Sequence, residues 1–246
     1  CRKPQAAKFS GISCNSAFPI KNGGDYMKFK RLTLLCGHYG SGKTNVAVNF
    51  AFDLKKQYNS VAIADLDIVN PYFRTKDSAK ELESAGIELI CSEYAGTNID
   101  IPAMPQQMYM ITDCKDKRFI LDIGGDDRGA LALGRLAPAI IKENDYDMLM
   151  VINCFRPLTR KAAETIEVMR EIEYAGGIKF TGLVNNSNLG EETTPEDVLS
   201  SLPYTDEVSR LSGLPIVCTT VHNTVYDALK GRINGLYPIK LQPKIN

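Results

Sequence analysis

Seven continuous apolar runs, alternating with stretches of helical spacing, constrain this chain more than any other feature in it. The runs are RLTLLC (31–36), SVAIADLD (60–67), IELICS (87–92), KRFILDIGG (117–125), DMLMVINCF (147–155), IKFTGLVNNS (178–187) and LPIVCTT (214–220). Apolar runs of this kind are what strands buried on both faces look like. The intervening segments, such as TNVAVNFAFDLKKQ and LTRKAAETIEVMREIEYAGG, place apolar residues at helical spacing. Pro138, within RGALALGRLAPAIIKEN, is expected to kink or split that helix. Strand–helix alternation predicts an α/β fold: a three-layer, doubly wound, largely parallel sheet of about seven strands. The last strand is placed at LPIVCTT and a short helix at VYDALKG.

The chain has 246 residues, 44% hydrophobic and 24% charged, with 29 basic and 29 acidic side chains. Zero net charge disfavours a broad electrostatic attraction to nucleic acid or anionic membrane. No apolar run approaches the roughly 20 residues of a spanning helix. The 7 cysteines stand singly, with no CxxC and no Cys/His cluster. That pattern predicts reduced thiols and a cytoplasmic protein.

Residues 1–26 lack helix or strand periodicity, whereas residues 27–246 show no linker, repeat or low-complexity tract and are expected to form one domain. Gly23-Gly24-Asp25 can be encoded by GGAGGTGAT, a bacterial ribosome-binding site in form, shortly before Met27. The expectation is a bacterial protein whose natural start is Met27, preceded here by a disordered extension.

GHYGSGKT, Gly37 to Thr44, fits G-x-x-x-x-G-K-[ST] and has the context that motif requires, a strand before and a helix after. Gly37, Gly40 and Gly42 let the backbone curl so that the amides of the loop, including those of His38, Tyr39, Ser41 and Asn45, face phosphate oxygens. The following helix aims its positive end at the same point. Lys43 supplies charge to the outer phosphates, and Thr44 offers a hydroxyl to Mg²⁺. In RFILDIGG, Asp122 ends a strand where a Walker B carboxylate holds Mg²⁺, and Gly125 completes D-x-x-G, a spacing at which a glycine amide can sense a γ-phosphate. In AIADLDIVNP, Asp65 and Asp67 point the same way if the strand persists, so one can position water while the other binds the metal's water shell.

These segments, with LVNN late in the chain, resemble the MinD/ParA/CobQ-type (SIMIBI class) P-loop nucleotide-binding proteins, a group that includes the nitrogenase iron protein and dethiobiotin synthetase. The resemblance implies Mg-ATP as ligand, Asp67 as the water-activating residue, and Asn185 as an adenine contact. The stretch Asn185-Asn186-Ser187-Asn188 lacks the carboxylate of a guanine-reading N-K-x-D, which favours ATP over GTP. The resemblance further implies a slow ATPase switching a protein partner, with a nucleotide-dependent homodimer as a possible output. His38 stands where many relatives carry a lysine that crosses the dimer interface. Arg74 and Arg128 lie near the switch segments and could act as arginine fingers or stay solvated. Arg156, in NCFRP, could touch phosphate or sit on a surface loop. The tail NGLYPIKLQPKIN has no helical period and does not resemble an amphipathic membrane anchor. Two alternatives remain: a carboxylate-activating synthetase of the dethiobiotin synthetase/CobQ type, and a nucleotide-binding module without turnover.

Overall fold

The computed structural model describes residues 27–66, 78–91, 106–124 and 127–242. Within these residues the strands are β1 (Leu32–Cys36), β2 (Val61–Asp65), β3 (Glu88–Cys91), β4 (Arg118–Asp122), β5 (Tyr146–Ile152), β6 (Gly182–Asn185), β7 (Ile216–His222) and β8 (Leu236–Ile239). They form one sheet in the order β3-β2-β4-β1-β5-β6-β7-β8, and every pairing is parallel. The helices are α1 (Lys43–Gln57), α2 (Ala79–Ser84), α3 (Met110–Asp113), α4 (Asp127–Glu143), α5 (Ala162–Gly176), α6 (Pro195–Ser212) and α7 (Asn223–Leu229).

Side-chain alternation along the strands builds two cores. Leu35, Ile63, Ile120, Leu149, Val151 and Val184 face α1 and α2. Their alternates Leu34, Ala64, Leu121, Met150 and Leu183 face α3 to α6. The sheet is therefore covered on both sides, which explains why its strands read as unbroken apolar runs. Met27 and Phe29 already belong to the α1-side core, where Phe29 and Tyr237 each meet Phe50 edge-on.

The sheet has eight strands rather than about seven. β8 comes from the tail, LYPI, and pairs only with β7. Pro238 is tolerated there because an edge strand needs ladder bonds on one side alone. α4 is not split at Pro138 but continues past it. Leu133, Leu136, Ala137 and Ile140 flank the proline and are all buried. Burying such side chains contributes about 1.5–3 kcal/mol for each large one, enough to outweigh the roughly 3 kcal/mol proline penalty.

At the end of the sheet away from the strands' C-termini, Arg31 is 4% exposed and its guanidinium pairs with Glu143. It also donates to the carbonyls of Ile111 (2.9 Å) and Cys114 (3.0 Å), while Lys115 Nζ reaches Glu143 at 2.6 Å. Burial works to raise the Glu143 pKa, but hydrogen bonds from Arg31 and Lys115 outweigh it and hold the carboxyl below its ordinary value. The ionised form is the one folding favours. Its contribution is complete above the unfolded glutamate pKa of about 4.3 and is lost as pH falls through the lower folded-state value. Glu143→Gln should therefore flatten the acid limb of stability against pH. Urea midpoints between about pH 3 and pH 6 measure it, and an unchanged slope removes Glu143 from the acid response.

Candidate nucleotide site

The C-terminal ends of the strands gather the chemistry. β1 lies between β4 and β5; the connection after β1 runs towards β2 and the one after β4 runs the other way to β5, and such a reversal is where open α/β sheets bind ligands. The loop from Gly37 to Gly42 occupies that point. Gly37 has φ 154°, and a Cβ there would fall well under 3.0 Å from the Val151 carbonyl oxygen of β5. Gly40 and Gly42 are left-handed, with φ 77° and 87°. Gly42 is the N-cap of α1 and supplies no side-chain cap. Ser41 N donates back to His38 O (3.1 Å), closing the curl, and Val46 N to Gly42 O (3.2 Å) starts the helix. The amides of Lys43, Thr44 and Asn45 precede that first helical bond and have no intrahelical partner.

Lys43 is 7% exposed, and its ammonium has no hydrogen-bond or ion-pair partner among the described residues. Ser41 is 1% exposed and its Oγ is likewise unpartnered among the described residues. Thr44 is half-buried in the first turn of α1. Tyr39 is 62% exposed on the outside of the loop, and His38 is half-buried with Nδ1 3.0 Å from Tyr39 O. The Asn45 side chain is committed elsewhere, its Oδ1 accepting from Gln242 N at 3.2 Å.

Asp122 ends β4 and is 2% exposed. It sits in register with Leu35 of β1 and Asp65 of β2, on the α1 side of the sheet. Asp65 is half-buried at the end of β2. Cys36, the last residue of β1, feels both Lys43 and Asp122. Burial pushes its thiol up to about 12, with Lys43 lowering and Asp122 raising it, so this cysteine stays protonated. Asp67, Gly125 and Arg74 lie outside the described residues, as does the side chain of Arg128.

Asn185 lies at the end of β6. It is fully buried, its Nδ2 donating to Ser201 Oγ of α6 (3.0 Å) and its Oδ1 accepting from Ser187 N (3.1 Å). Strand alternation is the reason: Asn185 follows Leu183 onto the α6 side, whereas the next residue follows Val184 onto the α1 side. Asn186 is the asparagine that reaches the phosphate loop. Its Nδ2 donates to Ser41 O at 2.6 Å, and its Oδ1 accepts from Thr220 Oγ1 at 2.5 Å. Gly42 has no room for a Cβ because that same amide lies against it.

The profile of the CobQ/CobB/MinD/ParA nucleotide-binding domain matches residues 35–214. The chain belongs to this family. The match takes in the phosphate loop, Asp65, Asp122 and both asparagines of LVNN. This MinD/ParA-like P-loop protein also resembles solved structures. FtsY from Thermotoga maritima is 16% identical with a TM-score of 0.53, over 85% of this chain and 66% of that one. Chloroplast FtsY from Physcomitrella patens is 15% identical with a TM-score of 0.53, over 82% and 60%. FlhF complexed with GTP/Mg²⁺ is 16% identical with a TM-score of 0.49, over 78% and 66%. The family member described here spans less than two thirds of each of these structures. At such identities the likeness concerns fold alone. No curated protein sequence matches it significantly. Among the described residues, no helix is long and apolar enough to cross a membrane.

Proposed function

We propose that this protein binds Mg-ATP at the Gly37–Asn45 loop and hydrolyses it slowly, as a switch acting on a protein partner. The observation that carries the reading is Lys43, a cation with no anionic partner among the described residues at the uncapped N-terminus of α1. The uncapped amides, the Ser41 hydroxyl and Lys43 together suit a polyphosphate. In this reading Gly40, Gly42 and Lys43 hold phosphates, while Thr44 and Asp122 hold Mg²⁺. No three His, Cys, Asp or Glu side chains group as a metal cage among the described residues. Mg²⁺ commonly binds through one or two protein ligands, water and phosphate, so a hydroxyl and one carboxylate suffice. When bound, Mg²⁺ would neutralise charge developing on the transferred phosphoryl group. Asp67 would orient the attacking water, with Asp65 beside it in the metal's water shell. Gly125 would sense the γ-phosphate. The order of attack is in-line, and the chain's own work is positioning and charge stabilisation.

ATP is preferred over GTP because Asn185-Asn186-Ser187-Asn188 lacks the carboxylate of a guanine-reading N-K-x-D, with Asn185 as the adenine contact. Titration with fluorescent ATP and GTP analogues, with and without Mg²⁺, tests both parts. Asp122→Asn should remove one charged ligand interaction of about 1.5–3 kcal/mol, or roughly 10- to 100-fold of the Mg²⁺-dependent affinity. Full Mg²⁺ dependence in that variant would reject Asp122 as a metal residue, and tighter GTP than ATP binding would reject the adenine assignment.

A further inference from the structure

Beside the phosphate loop stands a cation the established features do not use. Arg156 ends the turn after β5 and caps a short 3-10 turn, Pro157–Thr159. A Cβ built on Gly40 would lie 3.4 Å from Arg156 Nε, 3.6 Å from Cδ and 3.7 Å from Cζ. Gly40 thus meets two demands, a left-handed φ and the close passage of this side chain.

The backbone under Arg156 is firmly held. Asn153 and Thr159 are each 1% exposed. Asn153 O accepts from Arg156 N (3.2 Å) and from Thr159 Oγ1 (2.7 Å), and Asn153 Oδ1 accepts from Phe155 N (3.0 Å). Cys154 N donates to Ser187 Oγ (3.1 Å), joining the turn to the loop that carries Asn186. Yet the guanidinium at the end of this construction has no hydrogen-bond or ion-pair partner among the described residues, and the side chain is exposed. A solvated surface arginine needs no such fixed base. A guanidinium is a planar fork of donors suited to phosphate oxygens. The site also has a charge imbalance: Lys43 is the cation inside the loop, while Asp65 and Asp122 add negative charge alongside any polyphosphate.

We propose that Arg156 is a phosphate-binding residue supplied in cis, its guanidinium passing Gly40 to reach the phosphates of the nucleotide held by the same chain's loop. This rests on the nucleotide-binding reading above and names a further residue of that site.

The test is equilibrium binding of ATP and ADP to the full chain as salt is varied, on wild type, Arg156→Gln, Arg156→Lys, Arg160→Gln and Lys43→Ala. Loss of a charge-assisted contact predicts a roughly 10- to 100-fold weaker ATP affinity for Arg156→Gln and a shallower salt dependence. Arg156→Lys should fall between, keeping charge but losing the fork. Arg160→Gln, an exposed neighbour four residues on, should match wild type. Melting temperatures should be unchanged throughout the arginine series, since neither side chain is buried. The proposal is overturned if Arg156→Gln binds within about twofold of wild type, if Arg160→Gln loses as much, or if the Arg156 effect vanishes on dilution, which would mark a contact in trans. A wild type that binds no nucleotide overturns the loop reading and this inference with it. A wild type that binds, with Lys43→Ala inactive and Arg156→Gln unaffected, overturns this inference alone.

Discussion

Lys43→Ala is expected to lose at least about 30-fold in ATP affinity while its nucleotide-free form melts no lower than wild type. The two halves of that result have one cause. Lys43 is 7% exposed at the uncapped start of α1 and lacks an anionic partner among the described residues. With phosphate bound, the ammonium makes charge-assisted contacts worth about 2–3 kcal/mol in all. Without it, the ammonium has no partner among the described residues to lose, and alanine, a strong helix former, suits the first turn of α1. A structural lysine would behave in the opposite way, with stability falling and binding preserved. Calorimetric titration of ATP and thermal unfolding of the nucleotide-free protein distinguish the two. Affinity equal to wild type rejects the site.

Gly37→Ala should be the most destabilising single methyl in the loop, costing roughly 2–5 kcal/mol. Its φ of 154° is one that side chains rarely adopt, and the added Cβ would collide with the Val151 carbonyl. That carbonyl belongs to β5, hydrogen-bonded between β1 and β6 in the middle of the sheet, so it cannot yield without opening a ladder. Gly177→Ala is the comparison. It is also left-handed, φ 64°, but nothing lies within 4 Å of its Cβ position, so only the local penalty of about 1–2 kcal/mol applies. Urea unfolding of both variants measures the difference. Equal losses would mean that the β5 contact is relieved by a small shift and that the loop is not pinned to the sheet.

The seven inner and early strands were legible because burial on two faces leaves no polar alternation to obscure them. β8 was not legible: four residues with a central proline carry little pattern, and only the pairing with β7 makes them a strand. The phosphate loop could be read from spacing alone, since its geometry is local. The contact of Asn186 with the loop was not legible, because a single step along a strand changes face. That step separates Asn185, bonded to Ser201, from Asn186, bonded to the loop. Pro138 does not split α4 because propensity speaks for an isolated helix, while this one is held by the side chains it buries. The approach of Arg156 to Gly40 depends on how the turn after β5 is tied to Ser187, and sequence spacing carries no trace of it.

The way the tail meets α1 bears on how the protein is made. Tyr237 packs on Phe50 and donates its hydroxyl to Asp53 (2.6 Å). Asn49 exchanges hydrogen bonds with Lys240, and Asn45 accepts from Gln242. These contacts join positions more than 180 residues apart, and the helix involved is the one that opens at the phosphate loop. During synthesis the N-terminal strands and α1 leave the ribosome first, but one flank of α1 stays bare until residues 236–242 have followed. Closing so long a loop comes late in folding. A nascent chain arrested before Tyr237 should therefore leave Phe50 partly uncovered, a surface that a chaperone can hold until the last strand arrives.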